Sequence, residues 1–261
     1  MQTFLEETHI VRTYDVDFNN RLKVSSTFNY MQDIAAAHAD SLNFGYKDLK
    51  DKGLFWVLSW VKIQFDDYPK FEDKFTIKTW AKGKYKLYAL RDFILSNEKQ
   101  EIFCKATTAW LLISAATKRI SDLKNLPAYR PSEENEHALH DLPSKFSIEN
   151  KKETVFSKHV GYSSIDINQH VNNEKYIEFI LDCYNENHHI QNQIQNMTVS
   201  FLSETKYDDW LEIYLNKNTL KKNVHFIEGI NQKNQKPVFQ SLIEWNSSKI
   251  FNSLSRNSLI I

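Results

Sequence analysis

Glycine and proline are scarce, five of each in 261 residues. So few glycines leave little room for a Gly-rich phosphate loop, and neither G-x-G-x-x-G nor a P-loop pattern occurs. Cysteine is scarcer still. Cys104 and Cys183 cannot make a disulfide framework, and both sit in apolar-periodic segments, where a buried thiol is the default. Neither sign of charge dominates. Thirty-three basic residues meet 33 acidic ones, which argues against nucleic acid as the main partner, because phosphate binding leaves a basic surplus. Long apolar runs are missing too, so no segment reads as a membrane span. The opening MQTFLEETHIV is too polar for a signal or transit peptide. A reducing cytoplasm is the expected location. What the chain does have is aromatic mass: 17 Phe and 12 Tyr, most of it destined for a core but also suited to an apolar pocket.

The clearest boundary lies at residues 121–152, which hold Pro127, Pro131 and Pro143 and the acidic run PSEENEHALHD. It reads as a linker between a unit at 1–120 and another at 153–261. The two sides share a plan. Strand-like runs at 8–17 and 153–163 each lead into a polar turn, then a helix, then consecutive strand-like runs. Ser26 or Thr27 is the expected cap of the first helix, which runs to about Asn43, and Asn172 or Asn173 of the second. Strands follow at 54–66, 73–81, 86–96 and 101–115, and again at 196–204, 209–217, 222–230 and 237–247. The pattern predicts α+β units with antiparallel sheets, related by a degenerate internal duplication.

The second turn, SSIDINQHVNN, carries the most chemistry. Asp166, Asn168 and His170 alternate, which in an extended backbone puts all three side chains on one side. A helix begins directly after them, and its first N–H groups favour negative charge. A carboxylate, an amide and an imidazole at such a helix end suit a carbonyl whose oxygen becomes negative. Asx-rich turns before helices also arise for purely local reasons. Metal binding fits less well. DVDFNN opens like a calcium loop but has Asn20 in place of Gly and Ser26 in place of Glu, and the second turn has Ile177 at the latter position. No HExxH or CxxC pattern occurs, so no metal and no cofactor is expected.

These residues carry a family resemblance. DINQHVNNEKYIEFILDCY resembles the second half of the plant and bacterial fatty acyl carrier-protein thioesterases, whose pattern is D-x-N-x-H-V-N-N followed by Lys-Tyr. VRTYDVDFNNRLKVSSTFNYMQDIAAAHADSLNFGY, FWVLSWVKIQF and KFTIKTWAKG resemble its first half, so the likeness covers nearly the whole chain. It implies a tandem double hotdog, two long helices each wrapped by an antiparallel sheet, with the sheets joined into one layer. It implies hydrolysis of fatty acyl carrier-protein thioesters, which ends chain elongation in fatty acid biosynthesis. It adds Glu204, in FLSETK, as an acid on the strand after the second helix. Thr205 stands where plant members often have Cys, which excludes a thiol nucleophile there. Asp166, Asn168, His170 and Glu204 are thus the expected catalytic set. Met31, Ala35, Phe55, Trp56 and Trp60 are placed to line an acyl tunnel. The implied partner is acyl carrier protein bearing an acyl-phosphopantetheine. Its acidity calls for a basic face, for which Lys82, Lys84, Lys86 and Arg91 form one candidate and Lys217, Lys221 and Lys222 another. An acyl-CoA thioesterase on the same fold and an idle acyl-binding module are the alternatives. The oligomeric state stays open, with a homodimer as one form.

Overall fold

A computed structural model describes residues 3–126, 137–144, 153–217 and 223–248. The chain divides into two compact units, Met1–Ser144 and Lys145–Ile261. In the first, strand β1 (Phe4–Ile10) leads through a 3-10 turn (Thr13–Asp15) to helix α1 (Val24–Ser41) and the short α2 (Tyr46–Asp51). Strands β2 (Leu54–Phe65), β3 (Lys74–Tyr85), β4 (Tyr88–Asn97) and β5 (Ile102–Ser114) follow. They pair antiparallel in the order β1-β3-β4-β5-β2. The second unit repeats this: β6 (Glu153–His159), a 3-10 turn (Tyr162–Ser164), α3 (Asn173–Leu181), α4 (Glu186–Gln191), β7 (Asn192–Phe201), β8 (Trp210–Asn216), β9 (Val224–Asn231) and β10 (Pro237–Ser247). Its order, β6-β8-β9-β10-β7, is the same with each label advanced by five.

Phe28, Met31, Ile34, Ala35 and Ala39 recur at helical spacing and are all buried, so α1 turns one apolar stripe to the strands β1 and β3. The helix starts earlier than expected. Its cap position is Lys23, and Thr27 instead donates its hydroxyl back to the Lys23 carbonyl at 3.0 Å. Buried Ser25 and Ser26 sit inside the first turn because the apolar stripe, which begins at Val24, overrides their preference for a cap. The first strand is likewise displaced, from the expected 8–17 to Phe4–Ile10. Helix α3 is half the length of α1. Cys183, expected within that helix, lies in the turn beyond it.

Part of the expected linker is packed. Leu123 and Leu126 join a core cluster with Ala39, Phe44, Leu49, Ala89 and Leu112. Ala138 and Leu139 are buried as well, and Ala138 donates its N–H to Asp92 Oδ2 at 2.9 Å. Pro127 and Pro131 lie outside the described residues. Asp92 is fully buried in β4. Lys82 stands 3.3 Å away, Thr107 donates to Asp92, and Lys82 also reaches the carbonyl of Leu139. Burial pushes the Asp92 carboxyl up, while Thr107, Lys82 and Ala138 hold it down.

Candidate active site

The turn that carries Asp166 is not extended. Asp166 N–H bonds the His170 carbonyl at 2.9 Å, and Gln169 N–H bonds the Asp166 carbonyl at 3.0 Å. Ile165 and Val171 bridge across the base, and Gln169 takes a left-handed φ of 64°. The alternation of Asp166, Asn168 and His170 therefore has a different cause from a strand's period. The Asp166 carboxylate caps its own loop, an Asx turn, by accepting the N–H of Asn168 at 2.8 Å and of His170 at 3.4 Å. Its second oxygen accepts the Asn168 side-chain amide at 3.3 Å. Asp166 thus orients Asn168.

Glu204 lies past the end of β7, in a loop, and not on a strand as expected. Backbone pairing brings that loop to the turn: Val171 N–H bonds the Thr205 carbonyl at 2.9 Å. The Glu204 Oε2 stands 3.1 Å from His170 Nε2. Its side chain is 58% exposed and that of His170 29%, so the pair opens to solvent. The four residues make two linked pairs, Asp166 with Asn168 and His170 with Glu204, joined through the His170 N–H.

Two amides in the first turn of α3 are engaged, those of Glu174 and of Lys175, whose N–H bonds the Asn172 carbonyl at 2.9 Å. Asn172 caps the helix by accepting the Glu174 N–H at 3.2 Å, and its own N–H goes to Ser164. The Asn168 amide, which keeps its second hydrogen, is left as the donor of choice. Beneath the turn, Tyr176 is buried against Phe201 and Phe239, with ring centroids 5.9 and 5.5 Å apart, and burial keeps its hydroxyl protonated. Phe239 in turn lies over Gly229, where a Cβ would stand 2.3 Å from its ring.

One group escaped the sequence reading. Glu174, in the first turn of α3, is buried, with Lys175 at 3.4 Å, and Lys175 also reaches Glu178 at 2.9 Å. An acidic pair spaced by four residues just after HVNN was the available signal. Burial lifts the Glu174 carboxyl from its ordinary 4.5 to about 7, helped by a hydrogen bond to Glu178 and that residue's charge. Between those values the folded chain binds more protons than the unfolded one. The contribution of Glu174 to stability is therefore full below about pH 4.5 and is lost as pH rises through about 7. Glu174→Gln removes the ionisation and is expected to flatten the melting temperature from about pH 5 to about pH 8, which thermal melts would check. A slope unchanged from wild type would assign it to another group.

The cysteines stay apart from the cluster. Both are free and buried, and burial pushes the Cys183 thiol up to about 12. Among the described residues no group of three or more His, Cys, Asp and Glu is placed to hold a metal ion, and no helix is long and apolar enough to cross a membrane.

The five expected acyl-pocket residues divide. Met31 and Ala35 are buried on α1, and Trp56 packs on the cluster of Ala39 and Phe44, donating Nε1–H to the Phe44 carbonyl at 3.1 Å. Trp60 packs elsewhere, with Leu90, Ala109, Tyr85 and Tyr88. A bulge between Leu58 and Trp60 shifts the register, so Trp60 faces Ala109 and Trp56 faces Leu112. Even spacing would have kept both on one face; the extra residue flips Trp60. Phe55 pairs with Ile113, on the Trp60 side. The first candidate basic face also dissolves. Lys82 is bound to Asp92, and Arg91 is buried, with His38 Nδ1 at 2.9 Å and Thr79 at 3.2 Å. Lys84 and Lys86 remain at the surface. Lys221 and Lys222 lie outside the described residues.

A helix packed on a five-stranded antiparallel sheet, present twice in one chain with an Asp, Asn, His and Glu cluster in the second copy, is the double-hotdog plan. Residues 2–125 match the model of the acyl-ACP thioesterase N-terminal domain, and 147–247 that of the C-terminal domain. The chain belongs to the acyl-ACP thioesterase family. An oleoyl-acyl carrier protein thioesterase of Arabidopsis thaliana is 24% identical over 87% of this chain and 66% of its own length. A palmitoyl-acyl carrier protein thioesterase of Gossypium hirsutum is 28% identical over 66% of this chain and 45% of its own. The chain thus spans two thirds or less of these relatives' lengths. In fold it resembles an acyl-ACP thioesterase from Bacteroides thetaiotaomicron, with a TM-score of 0.81 and 24% identity over 94% of this chain and 98% of that one. It also resembles the 12:0-ACP thioesterase of Umbellularia californica, with a TM-score of 0.82 and 19% identity over 95% of this chain and 99% of that one.

Proposed function

We propose that this protein hydrolyses fatty acyl thioesters carried on acyl carrier protein, releasing the free acid. The observation that carries the reading is the His170–Glu204 contact beside an amide held by Asp166. Glu204 takes a proton from water as the water oxygen bonds the thioester carbonyl carbon. The Asn168 amide donates its second hydrogen to the carbonyl oxygen as that oxygen gains charge. The C–S bond then breaks, its electron pair leaves on sulfur, and His170 passes the proton from Glu204 to the thiolate. His170 also holds the exposed Glu204 side chain in one place. The names of the relatives supply the carrier. Both thiols being free and buried agrees with a reducing cytoplasm.

The acyl chain is assigned to the α1 side of the first unit, along Met31, Ala35 and Trp56. Each buried methylene is worth about 0.8 kcal/mol, so the depth of this wall can select chain length. Hydrolysis of a panel of acyl carrier-protein thioesters, with the free acids quantified, tests both claims. Ala35→Phe is expected to shift the profile toward shorter acids, and Trp60→Phe to change stability with the profile unmoved. No acid release from any carrier-bound substrate would refute the function. Release with a profile that ignores Ala35→Phe would move the pocket.

A further inference from the structure

The first unit contains the catalytic turn a second time. Asp17 N–H bonds the Arg21 carbonyl at 2.8 Å, and Asn20 N–H bonds the Asp17 carbonyl at 2.9 Å. Val16 and Leu22 bridge across its base, and Asn20 has φ of 57°. The Asp17 carboxylate accepts the N–H of Asn19 at 2.8 Å and of Arg21 at 2.9 Å. Each of these features has its partner in the turn from Asp166 to His170. The match extends to the facing loop. Leu22 N–H bonds the Pro69 carbonyl at 2.8 Å, as Val171 N–H bonds that of Thr205. Tyr68 therefore stands where Glu204 stands, one residue before the acceptor. The Arg21 guanidinium carbon lies 6.0 Å from the Tyr68 ring centroid, in the place of the His170–Glu204 contact.

We infer that this turn is a disarmed second thioester site, in which Asp17 and Asn19 are retained while Arg21 and Tyr68 replace the imidazole and the carboxylate. The inference rests on the roles proposed for His170 and Glu204. Two losses would disarm it. A guanidinium stays charged and a phenol stays protonated near neutral pH, so neither can cycle a proton. Arg21 also rewires the turn. Its Nε and Nη2 donate to Asp17 Oδ2 at 3.1 and 2.9 Å, occupying the oxygen whose counterpart in Asp166 orients the Asn168 amide. Arg21 is only 7% exposed, so this pairing is sheltered.

The test starts from Glu204→Gln and adds Arg21→His with Tyr68→Glu. The probe is a short acyl thioester of N-acetylcysteamine, which does not need a carrier docking face. Release of thiol is expected to rise roughly ten-fold or more over the Glu204→Gln background, and to vanish again on adding Asn19→Ala. A folded triple variant that stays at background overturns the inference. The reciprocal exchange in the second unit, His170→Arg with Glu204→Tyr, covers the case in which the triple variant does not fold. It is expected to fold, as the first unit already holds this pair, with the new guanidinium on Asp166; a chain unfolded by it overturns the equivalence. Wild-type turnover in Glu204→Gln alone would instead refute the catalytic roles on which the inference stands.

Discussion

Glu204→Gln is expected to lower turnover on an acyl carrier-protein thioester by 10² to 10⁴, about 3–5 kcal/mol of barrier. The amide keeps the size of the carboxylate and loses the capacity to take the water proton. The loss should appear in kcat, since Glu204 acts on the attacking water and the proposed hold on the acyl chain, along Met31, Ala35 and Trp56, is untouched. The fold should barely notice. The side chain is mostly in solvent, and an exposed pair such as this one with His170 contributes about 0–1 kcal/mol. The melting point is expected to move by no more than about 4 °C. Cys183→Ala is the matched control and should keep most activity, because its protonated, buried thiol lies past the far end of α3. Near-normal turnover in Glu204→Gln would transfer the base to His170 or Asp166. A Cys183→Ala enzyme that folds yet is dead would overturn the mechanism.

Asp166 separates orientation from folding. Asp166→Asn keeps one carbonyl oxygen for the N–H groups of Asn168 and His170, so the turn should survive. It offers an NH₂ to the Asn168 amide in place of the second oxygen, which turns that amide around. Turnover is expected to fall by roughly 10² to 10³, the usual cost of an oxyanion donor, with little change in melting temperature. Asp166→Ala loses the same activity and also about 0.5–2 kcal/mol of stability, as removal of an Asx cap does. Asn168→Ala should match Asp166→Asn in rate. Thermal melts and kcat on the three variants decide the matter. If Asp166→Asn were as active as wild type, Asn168 would not serve the oxyanion through Asp166.

Three of the four candidate site residues were legible because they are contiguous. Asp166, Asn168, His170 and the Asn172 cap are set by local hydrogen bonds, and Glu204 needed the family pattern because a lone acid near a strand end has no periodicity of its own. What escaped depends on pairing at long range. The face of Trp60 follows from a bulge that even spacing cannot reveal. Lys82 and Arg91 read as surface cations, since such residues are rarely buried unless paired. Their partners, Asp92 and His38, are met only once β3 and β4 pair and α1 lies against β3. The alternation at 166–170 was seen correctly and assigned the wrong backbone, since an Asx turn and a strand can present the same spacing in sequence.

Asp92 sets a clock for synthesis. Its carboxylate is sealed inside the first unit, and one of the groups that compensates it, the N–H of Ala138, follows it by 46 residues. Lys82 precedes Asp92 and Thr107 emerges soon after it, but the Leu139 carbonyl that Lys82 also reaches comes last. A nascent chain that has released all five strands of the first sheet still lacks the segment that closes over this charge. The first unit can reach its final stability only when residue 139 has left the ribosome, well after the last strand at Ser114. Released chains truncated beyond β5 but short of Ala138 would therefore be the form most exposed to proteases and chaperones.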